Sequence, residues 1–116
     1  MTGAKDTFYW KSTCTSCRDA RAVLTARGVV VDEINYAKAP LTEAQVKDIV
    51  AKAGGVAAVL NTRHAVAKEN GWADKPPSAA AFAKAAVKDV NLLKRPILID
   101  GDEVIVGFDK PKYDAL

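Results

Sequence analysis

The feature that most constrains this chain of 116 residues is a pair of cysteines with two residues between them, Cys14-Thr15-Ser16-Cys17. The sequence contains no other cysteine. A disulfide across two intervening residues closes a very short loop, so the entropy that it removes from the unfolded chain is small. A secreted domain that disulfides hold together has more cysteines, spread along its length. The pair therefore either binds something or changes its oxidation state.

The residues around the pair predict a strand, a helix and a second strand. β-branched and aromatic side chains fill positions 7–10, as is typical of a short buried strand. Apolar residues then recur at helical spacing up to Gly28, which suits the end of a helix; they are Cys17, Ala20, Val23 and Leu24. Residues 29–34 are predicted to form the second strand. In such a unit the two strands run parallel, with a right-handed crossover between them.

The rest of the chain predicts a helical segment, a hairpin and a last helix. Thr42 and Gln45 match a capping box at the start of one helix, and Ser78 caps an alanine-rich one. Two strands, 97–99 and 104–106, flank a turn at 100–102, and a final helix covers 111–116. The order βαβ, helices, ββα predicts an α/β fold of the thioredoxin-like class, with a mixed four-stranded sheet flanked by helices. The helical insertion between the two halves covers residues from about 40 to about 90.

Length, charge and hydropathy limit the classes of protein to consider. At 116 residues the chain is expected to form one domain, 1–116, with residues 1–5 as a disordered lead-in. No apolar run approaches the roughly 18 residues that span a bilayer, and no apolar segment follows a basic region at the N-terminus. The net charge of +3 is spread along the chain rather than gathered in one patch. We expect a cytoplasmic monomer without membrane contact or direct nucleic-acid binding.

The position of the pair at the start of a helix favours redox chemistry. Side chains three residues apart share a helix face, so the two sulfurs can meet. Cys14 would lie where unpaired backbone N–H groups and the helix dipole stabilise a thiolate, and Lys11 and Arg18 add positive charge. We predict that Cys14 attacks and that the more buried Cys17 resolves the mixed disulfide.

Two other interpretations of the pair stay open. Free cysteines are often inert core residues, although Cys14 lies between polar residues rather than on the apolar stripe. A zinc site needs about four ligands, and His64, the one histidine in the sequence, is the only strong candidate beyond the pair. We expect no bound metal and no bound cofactor.

Three motifs carry a resemblance to a known family. They are Cys-Thr-Ser-Cys-Arg-Asp-Ala-Arg at 14–21, Leu-Asn-Thr-Arg at 60–63 and Leu-Lys-Arg-Pro-Ile at 93–97, and Gly-Phe-Asp at 107–109 follows them. In this order and spacing they resemble the arsenate reductase (ArsC)/Spx family over residues 7–116. The resemblance implies a thioredoxin-like fold with a helical insertion, and a cis Pro96 beside the cysteines.

Within that family, arsenate reductases carry one essential cysteine and three arginines that bind the oxyanion. Cys14 matches the cysteine, and Arg95 matches one arginine. The second arginine aligns best with Asn61, with Arg63 two residues away as the alternative, and the third aligns near Gly107, which has no side chain. Planar guanidinium groups are what holds a doubly charged oxyanion. The resemblance therefore does not favour specific arsenate reduction.

Side chains on either side of the pair complete the predicted site. Arg95 is expected to support negative charge near the sulfur, unless it is only a solvated arginine at a strand start. Arg63 either contacts an anion or partner, or only ties the insertion to the core. Ser12 and Thr13 either donate hydrogen bonds toward the Cys14 thiolate or are ordinary turn residues.

The sequence agrees with the Spx-like branch of the family at the cysteine pair, at Arg63, at Lys94-Arg95-Pro96 and at Gly107. Resemblance to that branch implies a redox-switched transcriptional regulator that binds the C-terminal domain of the RNA polymerase α subunit without reading DNA. Other members with the same late motif are similar to glutathione-dependent thiol reductases. We predict a thiol–disulfide oxidoreductase that glutathione, glutaredoxin or thioredoxin recycles, with the redox-sensing regulator as the alternative.

Overall fold

The computed structural model describes residues 6–101 and 103–116, so the predicted lead-in at 1–5 lies outside the described residues. Asp102, in the predicted turn of the last hairpin, lies outside them as well. The elements of the described residues are, in chain order, β1 (Asp6–Trp10), α1 (Thr15–Ala26), β2 (Val31–Asn35), α2 (Glu43–Ala53), α3 (Val56–Val59), α4 (Ala65–Glu69), α5 (Ala79–Lys88), a 3-10 helix (Val90–Leu92), β3 (Ile97–Asp100), β4 (Glu103–Val106) and α6 (Lys110–Asp114).

The chain forms two compact units. The first contains the described residues up to Ala39 together with Arg95–Leu116, and the second is Pro40–Lys94. All four strands, α1 and α6 belong to the first unit, whereas α2 to α5 belong to the second.

The first unit is built on a four-stranded sheet in the order β2-β1-β3-β4. β1 pairs with β2 in parallel, and β3 pairs with both β1 and β4 in antiparallel. One face of the sheet packs against α1 and α6 in a core of Phe8, Ala20, Leu24, Leu98, Ile105 and Tyr113. The predicted mixed sheet flanked by helices is confirmed.

The turn from α1 to β2 differs from its prediction at the start of the strand. Residues 29–34 were expected to be strand, but β2 begins at Val31. The Val29 N–H donates to the Leu24 carbonyl at 3.0 Å and the Gly28 N–H donates to Thr25 at 3.1 Å, with Gly28 at φ +70°. This is the Schellman pattern of bonds, which uses the residue after the glycine to satisfy the last carbonyls of the helix. The Val29 N–H therefore caps the end of α1, and β2 begins two residues later, at Val31.

The second unit is helical, and its caps follow the sequence. Thr42 and Gln45 form both bonds of the predicted capping box on α2, and the Ser78 hydroxyl accepts from the Ala81 N–H at the start of α5. The buried faces of α2 and α5 pack together through Val46, Ile49, Val50, Phe82, Ala83 and Ala86. Among the described residues, no helix has the length and apolar character that crossing a bilayer requires.

Candidate active site at the cysteine loop

The two cysteines lie at the junction of β1 and α1, where a short turn carries the chain from strand to helix. The Cys14 N–H donates to the Lys11 carbonyl at 2.9 Å, which closes that turn. Cys14 is the N-cap of α1, and its carbonyl accepts the first helical bond from the Arg18 N–H at 3.1 Å. The Cys14 side chain is half-buried, whereas Cys17, one turn further along, is fully buried. Both are free thiols.

The end of β2 supports the turn that holds Cys14. The Asn35 side-chain oxygen accepts the Ser12 N–H at 3.2 Å and the Ala37 N–H at 3.1 Å. The Tyr36 N–H donates to the Trp10 carbonyl at 3.0 Å, which continues the pairing of β1 with β2 past the last strand residue. The carboxyl ends of the two parallel strands therefore fix the geometry of the loop between them.

The start of β3 brings Arg95 and Pro96 to the same edge of the sheet. β1 and β3 pair in antiparallel with Tyr9 opposite Ile97, so the residues just before Ile97 lie level with the end of β1. The Arg95–Pro96 peptide bond is cis, and the Pro96 carbonyl accepts the Gly107 N–H at 2.8 Å. Arg95 is half-buried and its guanidinium acts on the Cys14 sulfur.

The surroundings of Cys14 favour its thiolate. Partial burial works against the charge, but hydrogen bonds from the Ser16 hydroxyl, the Cys17 backbone N–H and the Arg95 side chain outweigh it and lower the pKa of Cys14 to about 6. The Ser16 hydroxyl lies 3.2 Å from the sulfur. At neutral pH a cysteine with this pKa is mostly ionised, and the thiolate is the nucleophilic form.

The surroundings of Cys17 favour its thiol. Burial is the main cause that raises the pKa of Cys17 to about 12, and the neighbouring Cys14 adds to it. A backbone hydrogen bond from Lys11 and the charge of Arg95 act in the opposite direction. One thiol of the pair is therefore poised to attack, while the other keeps its proton in the resting state.

The residues that the sequence predicted for the site belong to both units. Ser12, Thr13, Cys14, Cys17, Arg95 and Pro96 all belong to the first unit, and Arg63 belongs to the second. Ser12 is half-buried and contributes its backbone N–H to Asn35, and Thr13 is exposed. Arg63 is exposed, and its N–H donates to the Asn61 side chain at 3.1 Å.

Sequence reasoning did not identify Ser16, Asn35 and Tyr36 as part of the site. Ser16 lies inside the motif, but its role depends on a contact between its hydroxyl and the Cys14 sulfur that spacing alone does not show. The two residues that end β2 could have been found, since parallel strands present their carboxyl ends at one edge of a sheet, where sites form. Within 6–101 and 103–116, no group of three or more His, Cys, Asp and Glu residues has the arrangement of a metal site.

The sequence of this site and fold matches a family model. The model of the ArsC family covers residues 9–116, which include the cysteine loop, the insertion and the last hairpin. The chain belongs to the ArsC family. The resemblance that the three motifs carry is confirmed.

Relatives of this ArsC-family chain include two named proteins of bacteria. The uncharacterized protein YusI of Bacillus subtilis is 30% identical over 111 residues, which are 93% of this chain and 94% of YusI. The global transcriptional regulator Spx of Streptococcus mutans is 29% identical over 110 residues, which are 94% of this chain and 80% of Spx. Among solved structures, the arsenate reductase from Vibrio cholerae superposes with a TM-score of 0.79 at 20% identity, over 98% of each chain. At that identity the superposition establishes a shared fold, and the predicted fold class is confirmed.

Gly107, which the resemblance aligns near the third arginine of arsenate reductases, has a backbone conformation that disfavours arginine. Gly107 has φ +76°, in the left-handed region that side chains with a Cβ rarely adopt. Gly107 also donates its N–H to the Pro96 carbonyl, so its conformation is coupled to the segment that carries Arg95.

Proposed function

We propose that this protein is a thiol–disulfide oxidoreductase in which Cys14 attacks a disulfide of the substrate and Cys17 resolves the product. One observation supports the proposal above the others. The two thiols lie one turn apart in different surroundings: the half-buried Cys14 lies 3.2 Å from the Ser16 hydroxyl, which helps to lower its pKa to about 6, whereas full burial raises the pKa of Cys17 to about 12. An inert pair in the core has no need of such a difference, whereas a nucleophile and a resolving thiol do.

The proposed cycle has two exchange steps. The Cys14 thiolate attacks one sulfur of the substrate disulfide, a bond forms between the two sulfurs, and the other substrate sulfur leaves as a thiolate. Cys17 then gives up its proton and attacks the Cys14 sulfur, so that the Cys14–Cys17 disulfide forms. The second substrate sulfur leaves and takes up the proton that Cys17 lost. The substrate disulfide gains two electrons, and the protein dithiol loses them.

Arg95 stabilises negative charge on the attacking and leaving sulfurs in this proposal. Its guanidinium acts on the Cys14 sulfur and can interact with negative charge in both steps. One arginine at this position suits a single thiolate. A doubly charged oxyanion calls for several guanidinium groups, and neither Asn61 nor Gly107 provides one. We therefore propose a thiol or disulfide substrate rather than arsenate.

A protein of this kind needs a reductant after each cycle. Glutathione, glutaredoxin or thioredoxin would return two electrons to the Cys14–Cys17 disulfide, together with the one proton that Cys17 holds in the resting state, since Cys14 rests as a thiolate at neutral pH. Such a cycle fits the reducing cytoplasm, where protein thiols are kept reduced.

The test is NADPH consumption with a mixed disulfide of glutathione as substrate, with the glutathione/glutaredoxin and thioredoxin systems supplied in turn. Cys14→Ser is expected to abolish turnover, and Arg95→Gln to lower it about tenfold or more. Lys94→Gln is the matched control for loss of one positive charge, because Lys94 is exposed and belongs to the second unit. Arsenate serves as a parallel substrate. Turnover with arsenate but not with the disulfide would replace the proposal with arsenate reduction.

The redox-sensing regulator is the second candidate, and the similarity to proteins named Spx favours it. In that function the same disulfide switches a surface that binds the C-terminal domain of the RNA polymerase α subunit. A pull-down with that domain, with the protein reduced and oxidised in turn, tests it. Binding in one redox state without disulfide turnover would favour the regulator, and no binding in either state would exclude it.

A further inference from the structure

The side chain of Asn35, the last residue of β2, connects two separate segments of backbone through one oxygen. Its Oδ1 accepts the Ser12 N–H at 3.2 Å and the Ala37 N–H at 3.1 Å. An amide oxygen has two lone pairs, so both bonds can form at once. Ser12 lies in the turn that precedes Cys14, whereas Ala37 lies in the turn that follows β2. Asn35 therefore connects the cysteine loop to a strand that contributes no cysteine.

The turn that Asn35 contacts determines where the Cys14 sulfur lies. The Cys14 N–H donates to the Lys11 carbonyl at 2.9 Å, which closes a turn of four residues. Ser12 is the second residue of this turn, and its N–H is not part of the closing bond but donates to Asn35. Cys14 ends the turn and begins α1, with its sulfur 3.2 Å from the Ser16 hydroxyl. A change in the conformation of the turn would therefore move the sulfur relative to this hydroxyl.

The backbone pairing of the two strands ends before this turn. The register of β1 and β2 pairs Trp10 with Asn35, and the Tyr36 N–H donates to the Trp10 carbonyl at 3.0 Å. Trp10 is the last residue of β1, so these bonds hold the chain only up to the start of the turn. The Asn35 side chain extends the connection by two residues, to Ser12. Its removal would thus leave the strand pairing in place and release the turn.

We propose that the side-chain oxygen of Asn35 is a positioning group that holds the turn before Cys14 in the conformation from which this thiol attacks. The proposal rests on the proposed function, because it concerns the rate of that attack. Asn35 acts through the Ser12 backbone, and its oxygen neither gives nor takes a proton in the reaction. It raises the fraction of molecules in which the turn already has the reactive geometry, and the observed rate is proportional to that fraction.

Two variants of Asn35 separate its two bonds. Asn35→Ala removes both of them. Asn35→Ser keeps the local bond, because a serine hydroxyl can accept the N–H two residues further on, but its oxygen lies one bond closer to the backbone and does not reach Ser12. The rate of attack by Cys14 is measured from the first thiolate that dithiobis(nitrobenzoate), an aromatic disulfide, releases. We expect both variants to release it about threefold to tenfold more slowly, since a lost hydrogen bond shifts an equilibrium about fivefold and misplaced reacting atoms slow the attack further.

The pH dependence of Cys14 distinguishes positioning from a general loss of folding. In both variants, alkylation of Cys14 by iodoacetamide should reach half its maximal rate at a higher pH than in the unmodified protein. When the turn moves, the sulfur loses the Ser16 hydroxyl, which helps to lower the pKa of Cys14. A residue that only stabilises the fold would leave this pH unchanged in samples that circular dichroism shows to be folded. Asn70→Ala is the matched control, since the Asn70 side chain donates to the Val66 carbonyl at 2.8 Å within the second unit.

The outcomes are distinct for the proposal and for the function on which it rests. If the unmodified protein reacts with the disulfide no faster than Cys14→Ser, Cys14 does not attack and the proposed function fails. If it reacts through Cys14 and both Asn35 variants match it, the function stands and the positioning role is wrong. If Asn35→Ala is slow but Asn35→Ser is not, the local bond to Ala37 matters and the proposal is also wrong. Should Asn35→Ala fail to fold, the comparison of Asn35→Ser with the unmodified protein decides in the same way.

Discussion

Ser16 is the residue at which one cause of the acidity of Cys14 can be removed by itself. Its hydroxyl lies 3.2 Å from the Cys14 sulfur, and it is the first of the groups that lower the pKa of that thiol. We expect Ser16→Ala to raise the pKa of Cys14 from about 6 by about one unit, since a hydrogen bond to a charged group contributes about 1.5 kcal/mol. The rate of alkylation at Cys14, followed by mass spectrometry against pH, measures the shift.

The control for this change is Arg18→Ala. Arg18 is exposed and its guanidinium donates to the Thr15 hydroxyl, so its removal should leave the pKa of Cys14 nearly where it is. Cys17 does not compete for the reagent, because burial raises its pKa to about 12. Equal shifts in both variants would mean that general charge near the helix start, rather than the Ser16 hydroxyl, sets the acidity.

Gly107 is a second residue at which a single substitution tests one physical effect, here the backbone conformation. Its φ of +76° suits glycine, and no heavy atom lies within 4 Å of the place a Cβ would occupy. Gly107→Ala therefore introduces backbone strain without a clash, and we expect it to lower the free energy of unfolding by about 1–2 kcal/mol. Urea denaturation measures the loss. An unchanged unfolding free energy would show that this residue can adopt a negative φ in solution, and would remove the conformational argument against an arginine at this position.

At the scale of elements, one side-chain hydrogen bond joins the start of α4 to the end of α5 within the second unit. The Nε2 of His64 lies 2.8 Å from the Asp89 carboxylate, and its Nδ1 accepts the Val66 N–H at 3.1 Å. Asp89 also accepts the Asn91 N–H at 3.0 Å, at the start of the 3-10 helix. Each side chain thus caps a helix and bonds the other, which ties two distant parts of the sequence together.

The pair predicts a stability that depends on pH. The hydrogen bond from His64, followed by that from the Asn91 backbone, lowers the pKa of Asp89 on folding. A lowered pKa of an acid gives stability that is complete above the unfolded value of about 3.9 and is lost as pH falls through the folded value. Since the Asp89 side chain is 44% exposed, solvent limits the effect to about 0.5–1 kcal/mol. Asp89→Asn should cost that much near neutral pH.

Denaturation of Asp89→Asn and of the unmodified protein from neutral to acidic pH checks this expectation. The difference between their unfolding free energies should shrink below about pH 4 as the aspartate takes up its proton. Asp48→Asn is the control, because Asp48 forms an exposed pair with Lys52 one turn away on α2 and caps no helix. If the difference between the two unfolding free energies persisted in acid, the loss in Asp89→Asn would come from the poorer hydrogen-bond geometry of the amide and not from the missing charge.

Elements whose ends are marked by local chemistry could be predicted from the sequence. The capping box at Thr42 and the serine cap at Ser78 need only the residues beside them, and both are present as predicted. The start of β2 could not be placed, because the decision between strand and helix cap at Val29 depends on a bond to Leu24. The 3-10 helix at Val90–Leu92 was not predicted, since its cap Asp89 is held by His64, 25 residues earlier.

The candidate site also has some features that local sequence determines and others that depend on distant contacts. The cysteine pair and its place at the start of α1 follow from spacing and period, which are local. The support of the loop by Asn35 depends on the pairing of β2 with β1, and the burial of Tyr113 depends on the packing of α6 against α1. Nothing in the sequence near Tyr36 or Tyr113 indicates that their hydroxyls are without partners. Whether a buried polar group finds a hydrogen-bond partner depends on the packing of the whole core, so it cannot be predicted from the neighbouring residues in the sequence.

At the scale of the whole molecule, the acidity of Cys14 links the stability of the protein to its oxidation state. The pKa of Cys14 falls on folding from about 8.5, its value in an unfolded chain, to about 6. The reduced protein therefore gains stability that is complete above about pH 8.5 and is lost as pH falls through about 6. The oxidised protein has no thiolate at Cys14 and lacks this contribution. Cys17 is also a thiol only in the reduced protein, but below about pH 8 it keeps its proton in both the folded and the unfolded chain and adds little to the difference. The remaining titrating groups, Asp89 among them, are present in both forms and cancel in the comparison.

The unfolding free energy of the reduced protein, minus that of the oxidised protein, should rise by about 1–2 kcal/mol as the pH increases from about 5 to about 8. This figure allows for the partial exposure of Cys14. Paired denaturation curves of the two forms, with and without a reductant, measure the gain at each pH. Reduced Cys14→Ser should lack it. A disulfide across so short a loop changes the entropy of the unfolded chain little, so it does not offset this gain. Since the gain favours only the reduced form, the disulfide should become easier to reduce as pH rises than a disulfide between two cysteines of ordinary pKa. A gap that did not change with pH would mean that Cys14 is not ionised preferentially in the folded state, and the chemistry proposed for the site would lose its basis.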